Sequence, residues 1–345
     1  MNFKIIFKPK PCPSDWRRGL LAALLLSSST VWAQDSCMAL TLQEINGRLL
    51  LQSDLGSMTP VRLEKDISKD FRQIYGILEA NKKLDDKFDT RLTQLSQELF
   101  GTLLPAMREA SCIVFHIQPR FMHYTLDLLP VDGEPLFVQK PVAYSFNPPA
   151  APERQAETDY SVTPRGLILR DPETDPDNAT SEVLKLYPGS KFQLIKNTTP
   201  SVFEQAHYDF LVMSSHGSVR PALGTGNPDK DDSIRLGKEE LNADELGSAK
   251  FGLVYYDSCQ LGLSKPFIDA ASQGGARHYL APIISNESGN SSTWTMNYFF
   301  NDVYKGMTPM TALFHARQKI YRDVEDKATR TDQIFYAFPF RLYLL

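Results

Sequence analysis

Phe251-Gly252-Leu253-Val254-Tyr255-Tyr256 runs straight into Asp257-Ser258-Cys259-Gln260-Leu261-Gly262. An apolar, aromatic-rich run of this length, stopped by small and polar residues, reads as a strand buried on both faces. Phe210-Leu211-Val212-Met213 followed by Ser214-Ser215-His216-Gly217 has the same format. Working outward, further short apolar runs occur at Cys112–Ile117, Gly166–Leu169, Phe192–Ile195 and Tyr279–Pro282. Helix signals lie between several of them. Asn178 is placed to cap a helix over Ser181–Leu186 that Pro188-Gly189 would stop. Asn242 and Glu245 have the spacing of a capping box, and Thr311, Phe314, His315 and Ile320 suit an amphipathic helix. Strands alternating with helices predict an α/β chain, a three-layer α/β/α sandwich around a mostly parallel central sheet.

In such a sheet, ligands bind at the carboxyl ends of the strands. The two motifs would therefore deliver His216 and Cys259 to one rim. A free thiol ionises near pH ~8.5 and is a weak nucleophile until a neighbouring imidazole takes its proton. His216 could do so and later protonate a leaving amine. Gly217 allows close backbone approach, and its N–H, with that of Cys259, could form an oxyanion hole. The other histidines, His116, His123, His207, His278 and His315, are scattered without metal-ligand spacing. Asp229, Asp231 and Asp232 could gather a cation, but a solvated acidic loop is the far commoner arrangement. No phosphate-binding glycine motif is present. The chemistry of a Cys–His pair needs no cofactor, and no metal site is expected.

The chain has 345 residues, 42% of them hydrophobic, and a net charge of −4 with both signs interspersed. It can bury a large core, and it lacks the basic field expected of a nucleic-acid partner. Lys4, Lys8, Lys10, Arg17 and Arg18 precede the apolar run Gly19–Leu26, and Val31-Trp32-Ala33 then offers a signal-peptidase site. Residues 1–33 are read as a signal peptide of an exported protein, periplasmic or secreted, with no membrane span after cleavage. Cleavage would leave Cys37, Cys112 and Cys259, an odd number in an oxidising compartment. A Cys37–Cys112 bridge would leave Cys259 free; three unpaired buried thiols is the alternative. Asn46-Gly47, between Thr41–Ile45 and Arg48–Leu51, predicts a hairpin. Phe71, Ile74, Tyr75 and Leu78, then Leu92, Leu95, Leu99 and Leu103, recur at helical spacing. Residues 34–88 are expected to form an extension of hairpin and helix.

The His-Gly and Asp-Ser-Cys-x-x-Gly strand endings resemble the paired motifs of caspase-like cysteine peptidases. Residues 89–345 look like the CHAT family within that superfamily. Leu95–Met107, Leu126-Asp127-Leu128-Leu129-Pro130, Ala143–Pro148, Gly274-Gly275-Ala276-Arg277 and Phe338-Pro339-Phe340 are similar to its segments in the same order. Ser258 and Gln260-Leu261 stand where many members have Ala and a Glu-Thr-like pair, and the helical-repeat extensions of the family are absent. The resemblance implies a caspase-like topology with His216 and Cys259 as the catalytic pair. By analogy with metacaspases, Asp257 would help bind a basic P1 side chain; capping of local backbone N–H groups is its other reading.

The expected function is an endopeptidase acting on a protein or peptide substrate through a thioester, with an activating or regulatory protein as a further candidate partner. A catalytically silent module that binds a partner protein is the alternative, and a thiol hydrolase or acyltransferase on a non-peptide substrate is a third.

Overall fold

The computed structural model describes residues 37–54, 60–63, 66–146, 160–161, 164–219, 232–246, 248–286, 288–323 and 329–345. The expected signal segment, together with Asp229 and Asp231 of the acidic loop, lies outside them. Strands β1 (Met38–Ile45) and β2 (Arg48–Ser53) form a hairpin about Asn46 and Gly47, both at positive φ as that dipeptide predicts. After β3 (Val61–Arg62) come α1 (Ser68–Glu79), α2 (Asp86–Phe100) and α3 (Leu104–Glu109). The expected stripes face inward: Phe71, Ile74, Tyr75 and Leu78 from α1, and Leu92, Leu95 and Leu99 from α2. Asp85 caps α2 by accepting from the Phe88 N–H at 2.9 Å.

Next come β4 (Ile113–Ile117), the two-residue strands β5 (Pro130–Val131) and β6 (Glu134–Pro135), α4 (Leu136–Gln139) and β7 (Val142–Ser145). They are followed by β8 (Gly166–Arg170), α5 (Ala179–Leu186), β9 (Lys191–Leu194) and β10 (His207–Ser214). A small antiparallel sheet of β11 (Gly217–Ser218), β12 (Ser233–Leu236) and β13 (Glu239–Asn242) precedes β14 (Lys250–Asp257). The chain closes with α6 (Lys265–Gln273), β15 (His278–Pro282), α7 (Asn290–Tyr304), α8 (Pro309–Asp323), α9 (Arg330–Ala337) and β16 (Phe340–Leu344).

Eleven strands make one sheet in the order β3-β2-β1-β4-β7-β16-β15-β14-β10-β8-β9. Neighbours are parallel except at β1–β2, β2–β3 and β15–β16. The first three strands therefore continue the central sheet, β1 pairing in parallel with β4. A disulfide between Cys37 and Cys112 joins the residues just ahead of those two strands and leaves Cys259 free. Alternation along β10 and β14 sends Phe210, Val212, Leu253 and Tyr255 to one face, where Phe299 and Phe300 of α7 and Leu313 of α8 cover them. Leu211, Met213, Val254 and Tyr256 go to the other, against Phe267 and Ile268 of α6. Helices on both faces give the expected three layers. Among the described residues, no helix is long and apolar enough to cross a membrane.

Three local readings change. Asn178 sits at φ 63° and makes no side-chain cap. Asp175 takes that role, accepting from the N–H groups of Ala179 (2.6 Å) and Thr180 (3.1 Å). A carboxylate can serve two N–H groups at the positive end of a helix, which a single amide oxygen does less well. In α8 the buried face is Ala312, Leu313, Ala316, Arg317, Ile320 and Tyr321, so Thr311, Phe314 and His315 lie beside it rather than on it. Half of the Asn242–Glu245 box forms: Glu245 accepts from the Asn242 N–H at 2.7 Å, ahead of a single 3₁₀ turn rather than an α-helix.

Candidate functional site

Strands β10 and β14 are direct neighbours, parallel, with Ser214 paired to Asp257. His216 and Cys259 each lie two residues beyond this pair, so strand register alone brings both motifs to one rim. The Ser215 N–H donates to Asp257 O at 3.2 Å and carries the pairing one residue further. Beyond it the chain turns into β11, where Gly217 pairs with Ile234 and the Arg235 N–H donates to His216 O at 2.9 Å. The β11–β13 sheet thus braces the His-Gly segment from outside.

Gly217 lies against the loop that carries Cys259. A Cβ at this position would stand 2.7 Å from Cys259 O, 3.2 Å from Cys259 N and 3.1 Å from the Ser258 Cβ. Only a residue without a side chain lets the two backbones meet this closely.

The imidazole is half exposed, with Nε2 3.6 Å from Glu173 Oε2. Asp171, Glu173 and His216 bring three ligand-type atoms within 4.8 Å of one another. The Arg235 guanidinium already donates to both Asp171 and Glu173, the latter at 2.7 Å, and holds the Glu173 carboxyl below its ordinary range. One guanidinium thus pairs with two carboxylates beside the imidazole, an ion-pair network linking Arg235, Asp171 and Glu173.

On the other loop, the Cys259 thiol faces Asn286 Oδ1 at 3.9 Å. Asn286 Nδ2 in turn donates to Asp257 Oδ1 at 3.0 Å. No hydrogen bond joins the His216 imidazole to the thiol in this state. Burial pushes the thiol above its ordinary pKa; a hydrogen bond from the Asn286 backbone opposes this, and the charges of Asp257 and Glu79 add to it. The surroundings of Cys259 thus disfavour its thiolate.

Asp257 is only 4% exposed. It accepts from Ser214 Oγ at 3.0 Å, from Asn286 Nδ2 and from Ser292 Oγ at the start of α7, and burial raises its pKa. Its partners are side chains of three other elements rather than local backbone N–H groups. The carboxylate is spent on internal donors, and through Asn286 it tethers the strand end to the thiol. Sequence reading gave Asn286 no chemical role; its position two residues past an apolar run ending at Ile284 was the available signal.

A cleft of about 550 Å³ takes lining residues from beyond both motifs, with Val219 following His216 and Leu263 and Lys265 following Cys259. Arg120, Asp232 and Asp244 add charges of both signs to its wall.

No family model and no curated protein matches the chain. Among solved structures it is similar to the Saccharomyces cerevisiae separase–securin complex. One crystal structure gives a TM-score of 0.52 at 9% identity, covering 90% of this chain and 30% of the matched one. A second gives 0.48 at 10% identity with the same coverage. The chain thus spans 30% of the length of the matched chain. The first likeness supports a caspase-like fold of the separase type, with its large, mostly parallel sheet between helical layers.

Proposed function

We propose that the chain is an exported, CHAT-type cysteine endopeptidase, with Cys259 as nucleophile and His216 as general base and acid. One observation carries the reading: the Ser214–Asp257 pairing sets the His-Gly and Cys motifs side by side, with Gly217 in backbone contact range of Cys259. In the reaction, Sγ attacks the scissile carbonyl carbon as His216 takes the thiol proton. The N–H groups of Gly217 and Cys259 are the candidate donors to the resulting oxyanion. Collapse expels the amine, which His216 protonates, and water then hydrolyses the thioester. The mixed-charge cleft, lined by residues further along from each motif but by neither His216 nor Cys259, is the candidate path for a peptide. None of these steps calls for a cofactor.

The test is cleavage of a peptide library by the purified protein beside Cys259→Ala. Defined products lost in the variant support the reading; no product, or products that survive the variant, overturn it. The same library reads P1 directly. A basic preference would mean that Asp257 exchanges internal donors for substrate.

Gly217→Ala provides a sharper probe of the oxyanion site. Its Cβ would meet backbone atoms of Cys259, which cannot rotate away, so the two loops must separate. Cleavage is expected to fall about 10²-fold or more, the cost of losing one oxyanion donor. Wild-type kcat/KM in this variant would remove Gly217 from the site.

A second reading, a silent module that binds a partner protein, is favoured by the raised thiol pKa and by the absence of a hydrogen bond between thiol and imidazole. The matched separase is itself seen in complex with securin. Addition of a regulatory partner that switches on both cleavage and Cys259 alkylation would join the two readings.

A further inference from the structure

Helix α1 ends at Glu79, and the carboxylate of this residue meets both loops that flank the thiol. Gln260 Nε2 donates to Glu79 Oε1 at 2.6 Å. Ser285 Oγ donates to the same oxygen at 2.5 Å, and the Ser285 N–H to Oε2 at 2.9 Å. Gln260 directly follows Cys259 and holds a left-handed backbone, φ 61°, which a residue with a Cβ adopts only at a cost. Ser285 directly precedes Asn286, the residue facing the thiol. These links span 181 and 206 residues of sequence, so no local turn makes them.

Nor does helix stability explain the carboxylate. A negative charge in the last turn stands at the negative end of the helix dipole, where it is disfavoured. The helix beneath it is firmly seated: Phe71, Ile74, Tyr75 and Leu78 are buried, and Phe71 stacks on Tyr124 at 4.2 Å between ring centroids.

We propose that Glu79 is a positioning residue for Cys259, a clamp from the N-terminal segment that fixes the loop after the nucleophile to the loop carrying Asn286. The proposal rests on Cys259 being the nucleophile. It gives residues 34–88 a role in the site: the caspase-like region supplies both reacting side chains, and the N-terminal segment holds one of them in place. Besides Glu79, the charge facing the thiol is Asp257 at the end of β14, with His216 on the neighbouring loop.

The experiment compares Glu79→Gln, Glu79→Asp and Gln260→Ala with the wild type in two readouts: the pH profile of iodoacetamide labelling at Cys259, and kcat and KM for peptide cleavage. Glu79→Gln removes a charge that opposes the thiolate, so its labelling midpoint should move to lower pH. Its kcat should nevertheless fall about tenfold or more, because the nucleophile is less well aimed. Glu79→Asp keeps the charge and should hold the wild-type midpoint. Gln260→Ala breaks the clamp without touching α1 and should lower kcat with little change in KM. An unchanged midpoint in Glu79→Gln overturns the proposal, as does wild-type kcat in both Glu79→Gln and Gln260→Ala. If the wild type cleaves nothing, the peptidase reading fails, and the labelling midpoint alone decides Glu79.

Discussion

His216→Ala is expected to lower kcat/KM for peptide cleavage by about 10²–10⁴-fold, the usual contribution of a positioned general base. The resting state explains why the loss should appear in turnover rather than in simple thiol reactivity. Burial disfavours the Cys259 thiolate, and the imidazole is directed toward Glu173, 3.6 Å away, without a hydrogen bond to the thiol. This geometry holds no thiol–imidazole hydrogen bond in advance. The proton must leave as the carbon–sulfur bond forms, and His216 would reach it only after swinging off Glu173. Iodoacetamide labelling of the free protein should therefore change much less in His216→Ala than cleavage does. It should rise with pH above the ordinary thiol range, because the raised pKa delays thiolate formation. Equal losses in labelling and cleavage would mean a preformed ion pair, contrary to this geometry. Unimpaired cleavage would remove His216 from the reaction.

The parts of this arrangement that could be read in advance are those carried by contiguous sequence. Six strands of the main sheet are announced by apolar runs, whereas β7 and β16 in its middle entered only through the family resemblance, and the ends of β10 and β14 are marked by an abrupt change to small and polar residues. His216 and Cys259 follow from that pattern because parallel neighbouring strands share a rim. The hairpin at Asn46-Gly47 was legible for the same local reason. The β12–β13 hairpin was not: its flanking acidic residues dominate the composition, and Gly237-Lys238 between Leu236 and Glu239 was the remaining turn signal. The α5 cap went to Asp175, three residues ahead of the expected Asn178, because folding aims its carboxylate at the first N–H groups of the helix. Glu79 gave no signal in the sequence, and Asn286 only its place two residues past the apolar run ending at Ile284. Each acts on Cys259 through contacts made after folding, and a single Glu at a helix end or a single Asn in a loop has many commoner roles.

Asp127 shows the same limit at larger energetic scale. Its segment, Leu126-Asp127-Leu128-Leu129-Pro130, is apolar apart from this residue, and the structure buries it at 1% exposure. Oδ2 accepts from Arg317 Nη1 at 3.0 Å, Oδ1 accepts from Tyr144 OH at 2.7 Å, and Arg341 Nη2 lies 3.8 Å from Oδ1. Both guanidinium groups are themselves buried and donate to backbone carbonyls, Arg317 to Phe338 O and Arg341 to Tyr124 O. One carboxylate therefore faces two interior cations contributed by α8 and β16, tying these C-terminal elements to the segment that follows β4. Asp127→Ala would leave both cations without their counter-charge, and breaking a buried pair in this way costs about 3–5 kcal/mol. Against a typical total of about 5–15 kcal/mol, this is a large share of the stability of the fold. Asp127→Asn retains an acceptor for Arg317 and should lose less. Denaturant unfolding of the three proteins measures the difference, and because the site is shielded from solvent, the gap should persist at high salt. An Asp127→Ala variant within about 1 kcal/mol of the wild type would place it among ordinary surface ion pairs, which its burial contradicts.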